Sequence, residues 1–244
     1  MKAVIIYGIE HKGSTYNVVQ LFKNQLDICD NDLMEFFLPK DMPHFCIGCY
    51  NCFMKGEEFC PHQDYVTPIK EAIWNADLLI LASPTYVLHV TGQMKAFLDH
   101  LAFQFMLHRP EKSMFSKTAL VVSTAAGGGI RSAIKDMTGS LTYWGMSRIF
   151  TFGSAVSAAK WEEVTEKNRQ KIERKVKNIS SKIKSKIHKS KPGLKTKGLF
   201  YIFRMVQKKF AFIPHDKEHW EKHGWLEKKR PWKIMNNKNT PNDG

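Results

Sequence analysis

Five short apolar runs recur along the chain, each followed by polar residues and then by apolar positions at helical spacing. The first, Lys2 to Tyr7 (KAVIIY), is β-branched and stops at Gly8. Ser14 to Asp27 then places Val18, Val19, Leu21, Phe22 and Leu26 on one helical face. Leu33 to Leu38 reads as a second strand, and a cysteine-rich loop follows it. Tyr65 to Asn75 has helical period through Val66, Ile69, Ala72 and Ile73, with Asp64 placed to cap its start. Asp77 to Ala82 (DLLILA) is continuously apolar and ends at Ser83-Pro84, the pattern of a strand covered on both faces.

The alternation continues with a helix over Thr91 to Met106, a strand over Thr118 to Ser123, a helix over Ile130 to Trp144, a strand over Arg148 to Gly153 and a helix from Trp161 to His188. In that last helix Ile172, Val176, Ile179, Ile183 and Ile187 make one apolar stripe on a charged cylinder, the pattern of a surface helix packed on a sheet. Strands alternating with helices predict an α/β fold with a parallel, doubly wound sheet, because parallel neighbours need crossover connections. Ligands in such sheets bind beyond the carboxyl ends of the strands. Residues 1–188 are expected to form this domain, with a cysteine loop at 44–62, and residues 189–244 a basic helical extension. Within the extension Lys189 to Gly198 reads as a linker, and Leu199 to Ile213 as an aromatic, basic segment too short and too charged to span a bilayer.

Composition sharpens the division. The 244 residues are 43% apolar, enough for a full core, and collagen-like, disordered and disulfide-scaffold classes are excluded. The net charge is +14, yet from Lys160 to Lys233 there are 23 Lys+Arg against 8 Asp+Glu, leaving 14 against 15 elsewhere. The body is therefore nearly neutral and the basicity belongs to the last third. That tail suits several roles: an arm that covers the flavin site or clasps a second subunit, a hold on an acidic redox protein, or, less well, a membrane surface contact. No motif for specific nucleic-acid recognition accompanies the charge. The start lacks a signal-peptide pattern, so a cytoplasmic location is expected.

Three loops at strand ends carry candidate chemistry. After the first strand, Gly13, Ser14 and Thr15 supply a turn, two hydroxyls and free amides at a helix start, suited to one terminal phosphate or simply to a helix cap. After the third stands Ser83-Pro-Thr-Tyr-Val87, a stiff turn with an aromatic side chain able to face a flat ring. After the fourth, Thr124-Ala-Ala-Gly-Gly-Gly129 lets backbone amides approach a ligand closely. Together these suit a flavin mononucleotide (FMN).

Four of the five cysteines fall as C-x2-C-x2-C-x7-C-P at Cys46, Cys49, Cys52 and Cys60. In a reducing compartment clustered thiols bind metal or do redox chemistry. The first two intervals match ferredoxin-type runs, so one [4Fe-4S] cluster with Cys60 as fourth ligand across the longer third interval is the first reading. Free thiols, a Cys49–Cys52 disulfide, and zinc stay open as alternatives. Cys29, near the first helix end, reads as a buried small hydrophobe. His44 and His62 flank the cysteine loop and read as loop histidines without a role. Asp99 and His100 read as capping or surface residues. His89, just past the third-strand loop, is the candidate for a catalytic contact with flavin or substrate.

The order Gly13-Ser-Thr, Ser83-Pro-Thr-Tyr with Gly92-Gln-Met-Lys-Ala-Phe-Leu-Asp99, and Thr124-Ala-Ala-Gly-Gly-Gly resembles the NAD(P)H-dependent FMN reductase branch of the flavodoxin-like superfamily over about Met1 to Gly153. With the cysteine motif after strand two, it is similar to the iron-sulfur flavoproteins within that branch. The first loop departs from the family, which often has Ser and Arg where this chain has Gly8 and Glu10 or His11. The resemblance implies a flavodoxin-like sheet of order 2-1-3-4-5. It carries FMN phosphate contacts onto His11, Ser14 and Thr15, and ring contacts onto Pro84, Thr85, Tyr86, Val87, Thr124, Gly127 and Gly128. It implies an FMN-dependent oxidoreductase that exchanges electrons between NAD(P)H or a reduced ferredoxin and a small-molecule or protein acceptor, through the cluster and as a dimer or tetramer. A cluster-free reductase of flavin, quinones or nitro compounds, and a non-catalytic electron carrier, are the rival readings.

Overall fold

The structure, a computed structural model, describes residues 1–158, 160–210 and 212–233. Strands β1 (Ala3–Tyr7), β2 (Leu33–Phe37), β3 (Leu78–Ala82), β4 (Thr118–Ala125) and β5 (Arg148–Ala155) form one sheet in the order β2-β1-β3-β4-β5. Every neighbouring pair is parallel. The register places Tyr7 opposite both Phe37 and Ala82, so the carboxyl ends of the inner strands share one edge.

Alternate side chains of each inner strand go to opposite faces. Val4, Ile6, Leu79, Leu81 and Val121 pack under α3 (Gln63–Asn75), α4 (Gly92–His100) and α5 (Ile130–Tyr143). Ala3, Ile5, Leu78, Ile80 and Val122 pack under α1 (Ser14–Gln25) and α6 (Glu166–Lys186). Burial on both faces is why β1 and β3 are unbroken apolar runs. The α6 stripe is seated as its spacing predicts: Ile172, Val176, Ile183 and Ile187 are buried and Ile179 partly so.

Several local expectations need correction. The helix expected to reach Met106 stops at His100, although Leu101, Phe103 and Met106 are all buried. Leu101 and Phe103 belong to the core under α3 to α5, whereas Met106 packs with the C-terminal extension. One straight helix cannot deliver them to two cores, so packing overrides the local period. The cap of α3 is His62, and Asp64 lies in its first turn. Cys29 is exposed, its thiol lying 3.9 Å from the Asp27 carbonyl. The segment read as a linker is half helix, because α7 (Leu194–Phe210) begins directly after Pro192-Gly193.

The extension continues through α8 (Pro214–Lys222). Phe200 of α7 joins Trp220, Trp225 and Leu226 in a third core that also holds Met106 and Phe115 of the body. The last residues expected in the extension, 234–244, lie outside the described ones. No helix among the described residues is long and apolar enough to cross a membrane.

Candidate flavin and cysteine sites

At the shared strand edge, a cavity of about 240 Å³ is lined by His11, Ser14, Thr15, Pro84, Thr85, Tyr86 and Thr124, with Ile9, Gly13, Ala125, Ala126, Val156 and Ala158. Residues from three loops far apart in the chain therefore meet in one place. The α1 start explains the polar end: Gly13 caps it with no side-chain hydrogen bond, leaving first-turn amides unclaimed by any side chain, at the positive end of a 12-residue helix. Thr15 in the first turn of α1 and Thr124 at the end of β4 share a buried hydroxyl hydrogen bond of 2.8 Å, and Thr85 Oγ1 lies 3.1 Å from Ser123 Oγ. These bonds tie the start of α1 and the Thr85 turn to the end of β4 without using the first-turn amides of α1. The donor set and the cradle fit a phosphate and an adjoining planar ring.

Val87, Gly127 and Gly128 do not line this cavity. Val87 is 94% exposed and, with Leu88, has a positive φ of 47° and 70°. Both β-branched and γ-branched residues are held there against their preference, a local strain at the cavity rim. Gly127 and Gly128 are exposed, and a Cβ on either would meet nothing within 4 Å. Gly129, by contrast, has φ +86°, and a Cβ there would come within 2.6 Å of Leu88 Cα. His89 is turned away: its Nδ1 lies 2.9 Å from Asp136 Oδ2, in a separate cavity with Lys95, Asp99 and Phe105.

The four cysteines of the loop all line a second cavity of about 310 Å³, together with Tyr50, Phe53, His62 and His100. The loop turns through a left-handed Gly48 and Tyr50 and a four-residue helix α2 (Asn51–Met54). Burial pushes the Cys52 thiol up to about 11, and the charges of Cys60, Cys46 and Cys49 add to the rise while Arg109 opposes it. The Cys60 thiol is raised as well, by burial first and then by Cys49 and Cys46. Four cysteines lining one partly open cavity are a donor set whose chemistry fits an iron-sulfur cluster, whose iron would neutralise their thiolate charge.

Beside them sits a histidine pair that sequence reading dismissed. His100 is buried, and its Nδ1 lies 2.8 Å from the Ala96 carbonyl, so that nitrogen is the donor. Its Nε2 must then accept from His62 Nδ1–H at 3.0 Å, leaving the lone pair on His62 Nε2. His44 stacks on His62 at 4.6 Å. Burial, and then His100 and His44, hold the His62 pKa below its ordinary value. Cys60, His62 and His100 keep one ligand atom each within 4.8 Å of one another. A separation of 38 residues between His62 and His100 leaves no pattern in the sequence.

Arg109, also unmarked by any motif, is buried behind the loop. Its guanidinium donates to the Cys52 carbonyl, to Glu57 Oε2 at 3.2 Å and to Asp216 Oδ1 at 2.6 Å.

Comparison with known proteins agrees with this geometry. An iron-sulfur flavoprotein of Archaeoglobus fulgidus is 33% identical over 102 residues, 41% of this chain and 46% of the relative. One from Clostridioides difficile is 34% identical over 146 residues, 56% of this chain and 61% of the relative. The chain thus spans about half to three-fifths of the curated relatives it matches. An FMN-dependent NADH-azoreductase of Bacillus anthracis, solved in complex with FMN, superposes with a TM-score of 0.56 at 14% identity, over 75% of this chain and 99% of that one, a likeness of fold. The model of the NADPH-dependent FMN reductase family matches residues 1–162, two thirds of the chain and the whole of the sheet with its loops. The chain belongs to the NADPH-dependent FMN reductase family.

Proposed function

We propose that the protein is an FMN-dependent oxidoreductase that passes electrons between NAD(P)H, or a reduced ferredoxin, and an acceptor, with a [4Fe-4S] cluster on Cys46, Cys49, Cys52 and Cys60. The observation that carries the reading is the pairing of two cavities in one domain: a helix-start cradle with unclaimed amides, and a pocket lined by all four loop cysteines. Bound FMN would supply two-electron hydride acceptance and stepwise release, and the cluster one-electron exchange.

The chain's own residues do the holding. Ser14 and Thr15 at the start of α1 would bind the phosphate through amides and hydroxyls, with His11 at the same end. Pro84, Thr85, Tyr86 and Thr124 would seat the ring, with the Thr15–Thr124 bond fixing the distance between phosphate and ring loops. Val87, Gly127 and Gly128 belong to the same two loops and are assigned to the outer edge of the ring. His89, paired with Asp136, is assigned to the neighbouring cavity rather than to the flavin.

Both cavities are rimmed by exposed apolar side chains, Tyr86, Val87 and Leu88 at the first and Phe45, Ile47 and Tyr50 at the second. Apolar rims of this kind favour association of two or more copies, and a homo-oligomer is part of the proposal. Thiols held for metal suit a reducing compartment such as the cytoplasm.

Anaerobic purification followed by flavin, iron and sulfide determination on one sample tests the assignment. We expect one FMN and four iron atoms per chain, with bleaching of the flavin by NAD(P)H or reduced ferredoxin. Full FMN without iron would leave a cluster-free reductase, and a colourless chain that takes up no FMN would overturn the reading.

A further inference from the structure

Arg109 joins three segments that are distant in sequence. One side of its guanidinium meets Asp216 of α8, and the other meets Glu57 and the Cys52 carbonyl of the cysteine loop. The Arg109 and Asp216 side chains are 6% and 2% exposed, so two opposite charges have been taken out of water to make this junction. Such burial is tolerated only when partners are complete, and here they are. Asp216 Oδ2 accepts from His108 Nδ1 at 2.7 Å, Glu57 also faces Lys70 Nζ at 3.6 Å, and the guanidinium lies over the Phe103 ring. The segment carrying Arg109 is in turn fastened to α8 on both sides: Trp220 Nε1 donates to the His108 carbonyl at 2.7 Å and His219 Nε2 to the Pro110 carbonyl at 3.2 Å. In the middle of the loop Cys52 and Phe53 pack inward, Phe53 against the His108 ring at 4.4 Å, whereas Phe45, Ile47, Tyr50, Met54 and Phe59 are all exposed.

We propose that the C-terminal extension is a clasp for the cysteine loop, and that Arg109 is the positioning residue through which Asp216 holds the Cys52 backbone and sets the charge beside the sulfurs. The proposal rests on the assignment of the cluster to this loop. Two consequences separate it from mere packing. Breaking either side of the junction frees the loop, and the two sides change the local charge in opposite senses. Loss of the guanidinium disfavours adding an electron next to Cys52, and loss of the Asp216 carboxylate favours it.

The test uses the full chain with FMN bound. Lys55 is the sole Lys or Arg between residues 44 and 62 and is exposed, so trypsin cleavage after it reports loop opening. With Arg109→Gln and Asp216→Asn we expect cleavage at least about tenfold faster than in the native chain, at unchanged FMN content. In the iron-loaded forms the cluster potential should fall in Arg109→Gln and rise in Asp216→Asn, each by about tenfold in the redox equilibrium, ~59 mV for one electron. Native-like cleavage in both variants, or potentials that move in the same direction, overturns the proposal. Should Arg109→Gln not fold, Arg109→Lys takes its place, and faster cleavage with an unmoved potential is the supporting result, native cleavage the overturning one. If the native chain itself holds no iron, the cluster assignment falls, while the cleavage rates still decide the clasp.

Discussion

At Gly129 the backbone adopts φ +86° directly against the 85–88 turn, with Leu88 Cα and Thr85 Cγ2 at 2.6 and 2.7 Å from where a Cβ would stand. Gly129→Ala therefore incurs both a left-handed backbone penalty and a clash that pushes the ring-seating turn outward. We expect it to cost about 1–3 kcal/mol in denaturant melts and to weaken FMN binding in a fluorescence titration. Gly127→Ala, where a Cβ meets open space, should leave stability within about 0.5 kcal/mol. The sequence shows three glycines in a row, and the resemblance carries contacts onto Gly127 and Gly128 but not Gly129, because composition says that a loop can bend and not which residue bends. The same limit hid Arg109 and the His62–His100 pair: their partners lie 107 and 38 residues away, and only folding brings them together. Ser14, Thr15, Pro84, Thr85, Tyr86 and Thr124 line the cavity the sequence led to because each sits at a strand end or at the helix start that follows one, where the topology delivers it to the common edge.

Whole elements were read most securely where burial is two-sided. The runs at β1 and β3 are apolar throughout because helices cover both faces. Errors arose where one stretch serves two cores, as beyond His100, or where a helix packs by few residues. In α7 Phe200 is buried while Tyr201, Ile202 and Met205 are exposed, so its hydrophobicity does not mark its inner face. The α8 helix has its own pH signature. Burial, and then the charge of His223, lower the His219 pKa to about 4. Between pH 6.5 and about 4 the unfolded chain binds a proton at this site that the folded chain refuses, so stability is lost as pH falls through that window and is untouched above it. The slope is at most about 1.4 kcal/mol per pH unit. Urea melts followed by the fluorescence of Trp220 and Trp225 should show this loss between pH 7 and pH 5, and His219→Gln should flatten it.

Across the whole molecule, charge and core divide the chain differently. By charge the basic last third stands apart from a neutral body, and that division is what the sequence displays. By packing the extension is continuous with the body, because Met106 and Phe115 are completed by Phe200, Trp220 and Trp225. Phe115 sits edge-on to Phe200 at 5.8 Å and to Trp225 at 6.1 Å, and Phe200 stacks on Trp220 at 5.0 Å, so the third core is one aromatic cluster drawn from both parts. Removing the extension after Ser190 would expose Met106 and Phe115 and leave Arg109 without Asp216, a buried cation facing a single carboxylate. Trp220→Ala tests the same coupling without truncation. It empties a fully buried site and should cost about 3–5 kcal/mol in a cooperative melt of the entire chain. If the extension were an independent unit, the flavin domain would instead melt at its native midpoint, followed by FMN release, while the tryptophan signal alone moved. A single shifted transition seen by both probes is the outcome that a shared core requires.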